Sequence, residues 1–202
     1  MELQETNDLL AQKSPQERAE WALQQAANPV ITTNFRPYES AILHLVTQLK
    51  PDIKVLWCDT GYNTRQTYEC AHELINRLKL NIQIYVPRQS VGYRNVTLGI
   101  PEVDTQEHAE FSEQVKLEPF RRAMQEHQPD VWFTNLRKGQ TSFRDSIDVA
   151  SKSKDGIWKI SPFYNYSDAE LEAYIKEHDL PNEEIYYDPT KALKNRECGI
   201  HH

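Results

Sequence analysis

Short apolar runs alternate along the chain with longer segments whose apolar residues recur at helical spacing. Two helical patterns come first. The second has its own start signals: Ser14 as N-cap, Pro15 in the first turn and Glu17 three residues after the cap. NPVITTNF then reads as a strand, and YESAILHLVTQL as a helix with Ala41, Leu45 and Leu49 along one face. The order repeats: IKVLWC as a buried strand, DTGYN as a turn, TRQTYECAHELINRLKL as a helix and IQIYVP as a third strand. Further on, LEPFRRAMQEH predicts a helix, VWFTNL and IWKISPF predict strands, and Ser167 with Glu170 caps a last helix. The stretch from Arg88 to Gln114 has no assigned element, and the chain beyond Pro181 reads as irregular.

Strand, helix, strand, helix, strand at these lengths implies right-handed crossovers and a mostly parallel, twisted sheet flanked by helices. The expected architecture is a single α/β domain. Residues 1–29 form helices packed on it, residues 30–180 the α/β body, and residues 181–202 a C-terminal tail that carries a cysteine.

Composition narrows the function classes. With 202 residues and 39% hydrophobic content the chain can bury a core, and its formal net charge of −7 argues against general nucleic-acid binding. No apolar run reaches membrane-spanning length and the polar start is unlike a signal peptide, so the expected compartment is the cytoplasm, with no membrane partner. Cys58, Cys70 and Cys198 are odd in number, and no two have C-x-x-C spacing. No disulfide framework or metal site follows. Cys58 and Cys70 fall within apolar patterns and read as small buried hydrophobes.

In an open parallel sheet, ligands gather at the carboxyl ends of the strands. Three loops leave such ends: Thr32–Arg36, Asp59–Tyr62 and Asn135–Lys138. The first two lead into helices, whose first-turn N–H groups favour an anion, and Thr32, Thr33 and Thr60 add hydroxyls. Arg137, Lys138, Gln140 and Arg144 crowd one polar segment, with Lys116 and Arg121–Arg122 as further positive charge. The arginine fork suits phosphate or sulfate. Near the tail, Lys194, Arg196 and His201 surround Cys198 and favour its thiolate, and Gly199 leaves the backbone free to bring the sulfur against a ligand.

With TTNF, DTGY followed by QTY, KLEPFRRAM, WFTNLRKGQTSFR, ISPFYNYSDAELEAYI and ECGIH in this order, the chain resembles the sulfonucleotide reductases of the adenine-nucleotide hydrolase-like superfamily. The likeness runs from about Val30 to His201. It implies thioredoxin-dependent reduction of 3′-phosphoadenylyl sulfate in sulfate assimilation. Cys198 would attack the activated sulfur, adenosine 3′,5′-bisphosphate would leave, and thioredoxin or glutaredoxin would release sulfite from an S-sulfo-cysteine. The substrate-binding residues implied are Thr33, Asn34, Phe35, Asp59, Thr60, Gly61, Lys116, Arg137, Gln140, Arg144 and His201.

Family members that use adenylyl sulfate carry Cys-Cys and Cys-x-x-Cys motifs for an iron–sulfur cluster. Their absence here implies no bound cofactor and the 3′-phosphorylated substrate, and a homodimer is a further implication of the likeness. A cluster-free adenylyl-sulfate reductase and a nucleotide-binding relative without catalysis are the alternatives. The chain departs from the family at Arg36–Pro37, where a glycine usually follows the phenylalanine, and in a shortened stretch, YYDPTKALKNRECGIHH. There Asp188, Thr190 and Lys191 stand in for a longer motif.

Overall fold

A computed structural model describes residues 2–190. The elements in chain order are α1 (Leu3–Ala11), α2 (Pro15–Gln25), β1 (Pro29–Thr33), α3 (Glu39–Leu49), β2 (Lys54–Cys58), α4 (Arg65–Leu78) and β3 (Asn81–Tyr85). They continue with α5 (Val91–Thr97), α6 (Gln106–Ser112), a π-helical turn (Glu113–Leu117), α7 (Glu118–His127), β4 (Val131–Phe133) and α8 (Ser142–Asp145). β5 (Ala150–Lys152), β6 (Trp158–Ile160) and α9 (Asp168–Glu177) complete them. Ser14 and Ser167 form the capping boxes that the sequence predicts, with Glu17 and Glu170 reaching back to the cap N–H groups.

The strands lie in the order β3-β2-β1-β4-β6-β5, parallel throughout except for β5 against β6. Alternation along the strands separates two cores. Ile31, Val55, Trp57 and Phe133 face a layer built from α2, α3, α4 and α9, which contributes Ala22, Ala41, Val46, Leu74, Leu171 and Ile175. Val30, Leu56 and Trp132 point the other way, onto Ala123, Phe120 and Met124 of α7. The first helix is tied to the sheet: the Asn7 amide donates to the Ala150 carbonyl and accepts from its N–H, at 2.9 and 2.8 Å. Arg18 of α2 is buried and donates to the Pro162 carbonyl.

Three features differ from the sequence expectation. The Arg88–Gln114 stretch folds into α5 and α6 and begins the π-helical turn. Strand β5 appears at the sheet edge, three residues long. Neither Cys58 nor Cys70 is fully buried.

Candidate active site

The strand order fixes where a ligand site can form. From β1 the chain proceeds to β2 and β3 on one side and later to β4 and β6 on the other. The crossover loops therefore diverge between the carboxyl ends of β1 and β4, and a crevice opens there. Its cavity of about 70 Å³ is lined by Thr32, Thr33 and Asn34 from β1, Leu56 and Cys58 from β2, and Thr134–Leu136 after β4. Lys116, Phe120, Arg144, Arg36 and Glu39 close it.

The β1 loop is shaped by its own side chains. The Thr33 hydroxyl accepts from the Phe35 N–H at 3.1 Å, and Phe35 takes a left-handed backbone with φ 52°. The Phe35 ring is thereby driven into the core, edge-on to Trp57 at 4.9 Å, where it anchors the loop. Arg36, which replaces the expected glycine, pairs with Glu39 at 2.9 Å and donates to the Asn135 carbonyl, tying the β1 loop to the β4 loop.

Asp59 organises the second loop. One carboxylate oxygen accepts from the Gly61 N–H, the Asn63 amide and the Tyr68 hydroxyl, each at 2.9 Å. Burial and this bond to Asp59 push the Tyr68 phenol up to about 12. Thr60 is buried and accepts from the Tyr62 N–H. The loop is thus a rigid platform whose Asp59 oxygen is already engaged.

The third loop carries the arginines. Arg137 and Arg144 are both buried. Arg137 pairs with Asp168 at 2.6 Å and stacks over the Tyr38 ring. The Gln140 carbonyl oxygen accepts from the Arg137 N–H and from the Arg144 guanidinium, so this one side chain spaces both arginines. They line a polar groove of about 480 Å³ with Lys138, Thr141, Tyr166 and Arg36, and Arg36 and Arg144 also belong to the crevice.

Lys116 reaches the crevice from the π-helical turn. Its ammonium is paired with Asp188, and the two side chains are 6% and 4% exposed. Burial opposes ionisation of Asp188, but Lys116 and the Thr190 hydroxyl and N–H outweigh it and hold the carboxyl below its usual range.

The predicted residues therefore divide. Thr33, Asn34, Lys116 and Arg144 meet in the crevice, Thr60 stands across Lys116 in a smaller cavity, and Arg137 and Gln140 line the adjoining groove. Asp59, Gly61 and Phe35 shape the loops and line none of the three. Cys198 and His201 lie outside the described residues. Sequence reasoning missed Cys58, which lines the crevice although it was read as core; its place at the end of β2 was the available signal. Tyr186, which accepts from Asn34 at 2.8 Å, was missed as well. Among the described residues no three His, Cys, Asp or Glu side chains are grouped to hold a metal ion. No helix there is long and apolar enough to cross a membrane.

Residues 28–191 match the model of the phosphoadenosine phosphosulfate reductase domain. The chain belongs to this family. It is 34% identical over 224 residues to the phosphoadenosine 5′-phosphosulfate reductase of Xylella fastidiosa strain M12, covering 99% of this chain and 94% of that one. Identity to the reductase of that name from Klebsiella pneumoniae strain 342 is 29%, over 98% and 91% of the two chains. A crystal structure of phosphoadenylyl-sulfate reductase from Candida auris, a phosphate complex, superposes with a TM-score of 0.79 at 26% identity, covering 90% of this chain and 89% of that one. Within the family's fold, the β1–β4 crevice is the switch-point site that a nucleotide-binding sheet offers.

Proposed function

We propose that this chain reduces 3′-phosphoadenylyl sulfate to sulfite and adenosine 3′,5′-bisphosphate, with Cys198 as nucleophile and thioredoxin or glutaredoxin as the final reductant. The observation that carries the reading is the convergence of buried Lys116 and Arg144 on the β1–β4 crevice of a chain of this family. Buried cations at a strand-end crevice suit a multiply charged nucleotide. The relatives named above act on such a compound by their names.

In the reaction, the Cys198 thiolate attacks the sulfur of the sulfate–phosphate anhydride. A new S–S bond forms, the bridging S–O bond breaks, and its electron pair leaves with the nucleotide phosphate. Lys116 and Arg144 balance the charge on that phosphate as the bond breaks, and Arg137 and Gln140 hold the rest of the nucleotide in the adjoining groove. A thiolate of the reductant then attacks the Cys198 sulfur, and sulfite departs with the S–S bonding pair. The second thiol of the reductant resolves the mixed disulfide and restores the Cys198 thiolate. The dithiol is oxidised to a disulfide, and these two electrons account for the reduction of sulfate to sulfite. Lacking a C-x-x-C partner, Cys198 depends on that external dithiol.

Mass spectrometry after mixing the chain with substrate alone tests the reading. The expected result is an adduct of about 80 Da on Cys198, the mass of SO₃. Cys198→Ser should abolish both the adduct and sulfite release while retaining adenosine 3′,5′-bisphosphate binding. Binding without any adduct in the unaltered chain would make it a binding relative, and equal or better turnover of adenylyl sulfate would overturn the choice of substrate.

A further inference from the structure

Residues 181–190 run after α9 as a strap along the edge of the crevice, against Asn34 and Lys116 of its lining. Asn182 accepts from the Tyr38 N–H at 2.8 Å, the Ile185 carbonyl from the Thr64 hydroxyl at 3.1 Å, and the Tyr186 hydroxyl from Asn34 at 2.8 Å. His108 Nε2 and the Pro189 carbonyl lie 3.0 Å apart, and Asp188 holds Lys116. The strap's burial pattern is inverted. Its buried residues are Glu183, Asp188, Pro189 and Thr190, whereas Ile185 and Tyr187 are exposed, 61% and 48%. Polar contacts hold most of it, and Pro189 is the one apolar residue of the strap that is buried.

Space around Lys116 is small. The crevice holds about 70 Å³ on one side of it, and a second cavity, under Tyr186, Tyr187 and Asp188 of the strap, holds about 10 Å³. Ligand pockets for molecules of nucleotide size run to roughly 300–1,000 Å³. With the strap down, the Lys116 ammonium is already paired with Asp188, so an anionic group that reaches it from the crevice must displace that carboxylate.

We propose that Asp188 is an internal anion that occupies Lys116 until a nucleotide displaces it and lifts the 181–190 strap from the crevice. This inference rests on the reductase reading, because it takes Lys116 as a ligand of the substrate. A buried ion pair contributes little net stability against its desolvation, so exchanging one anion for another on Lys116 is close to balanced. A phosphate or sulfo group offers more acceptor oxygens than a carboxylate, and the nucleotide's other anionic groups meet Arg144 and Arg137 at the same time, so together they outcompete Asp188. Asp188 thereby sets a threshold of charge for entry to the site, and weakly charged adenosine compounds fail to open it.

Hydrogen exchange of the full chain, with and without saturating adenosine 3′,5′-bisphosphate, tests the strap. Amides of residues 183–188 and of Thr190, whose N–H donates to Asp188 at 3.0 Å, should exchange several-fold faster with the nucleotide bound. Slower or unchanged exchange in a chain that calorimetry shows to bind the nucleotide would overturn the strap alone. Absence of binding would overturn the reductase reading and this inference with it. Asn182→Ala removes an anchor without touching charge, and it should tighten nucleotide binding about three- to tenfold, the worth of one hydrogen bond. Unchanged or weaker affinity in that variant would also overturn the proposal.

Discussion

Gly61 and Val91 approach so closely that no side chain can stand between them: a β-carbon at Gly61 would lie 2.3 Å from Val91 Cγ2. Gly61 also takes φ +80°, the left-handed region where a side chain is strained. The contact joins the Asp59–Gly61 loop to α5, an element outside the sequence motif. Gly61→Ala should therefore cost about 1–3 kcal/mol in urea denaturation, from strain and overpacking together. Val91→Ala added to it should recover only the steric part, leaving the double variant less stable than Val91→Ala alone.

Arg144 sits where the crevice and the polar groove meet, so it should matter to nucleotide affinity more than to the fold. Arg144→Ala should weaken adenosine 3′,5′-bisphosphate binding by about 1–3 kcal/mol in calorimetry, the range for charge-assisted hydrogen bonds. Arg137→Ala should behave similarly in binding but should also lower the melting temperature, because it removes a buried side chain that covers the Tyr38 ring and donates to the Tyr166 carbonyl. Unaltered affinity in both would move the nucleotide away from this loop.

Acid should act through Asp188. In the folded chain Lys116 and Thr190 outweigh burial and hold its carboxyl below the usual carboxylate range. The stability it contributes is therefore fully present above the unfolded value and is lost as pH falls through the folded one. Urea midpoints of the parent chain should drop more steeply below about pH 4 than those of Asp188→Asn, which starts lower because Lys116 is left without its charge partner. Parallel pH profiles would place the acid-sensitive group elsewhere.

His44 predicts a second, milder slope. Burial, the His178 ring 4.5 Å away and Arg77 hold its imidazole below the usual 6.5, and its Nδ1 lies 2.9 Å from the Tyr174 hydroxyl. A depressed folded value means that the unfolded chain takes up the proton first. The stabilisation is complete above pH 6.5 and declines as pH falls below it. His44→Gln should flatten the dependence of the urea midpoint between about pH 6.5 and 5.

The strands β1 to β4 were legible because each is a short apolar run with turn residues at its end, and their carboxyl-end loops could be placed on one edge by the parallel-sheet rule alone. Lys116 and Arg144 were picked out by charge and by family likeness, and they do converge. The stretch from Arg88 to Gln114 stayed unread because α5 and α6 are seven residues each, too short to establish an apolar period. Cys58 was misread because an apolar strand's last residue looks like core, while the crevice opens just there. The pairing of Lys116 with Asp188 joins positions 72 residues apart, beyond any local pattern.

Asn7 has a bearing on self-association. Its carboxamide offers Ala150 one donor and one acceptor, as a peptide unit of a seventh strand would. The outer margin of β5 is thus sealed by a single side chain from the first helix, and edge-to-edge growth from that margin is blocked. Loss of α1 would expose a template for intermolecular pairing and would also take Leu10 from the core and two carbonyl partners from buried Arg18, so a shortened chain would be less stable as well as prone to clumping. Any assembly that extends the sheet is left to the β3 margin, at the far side of the molecule.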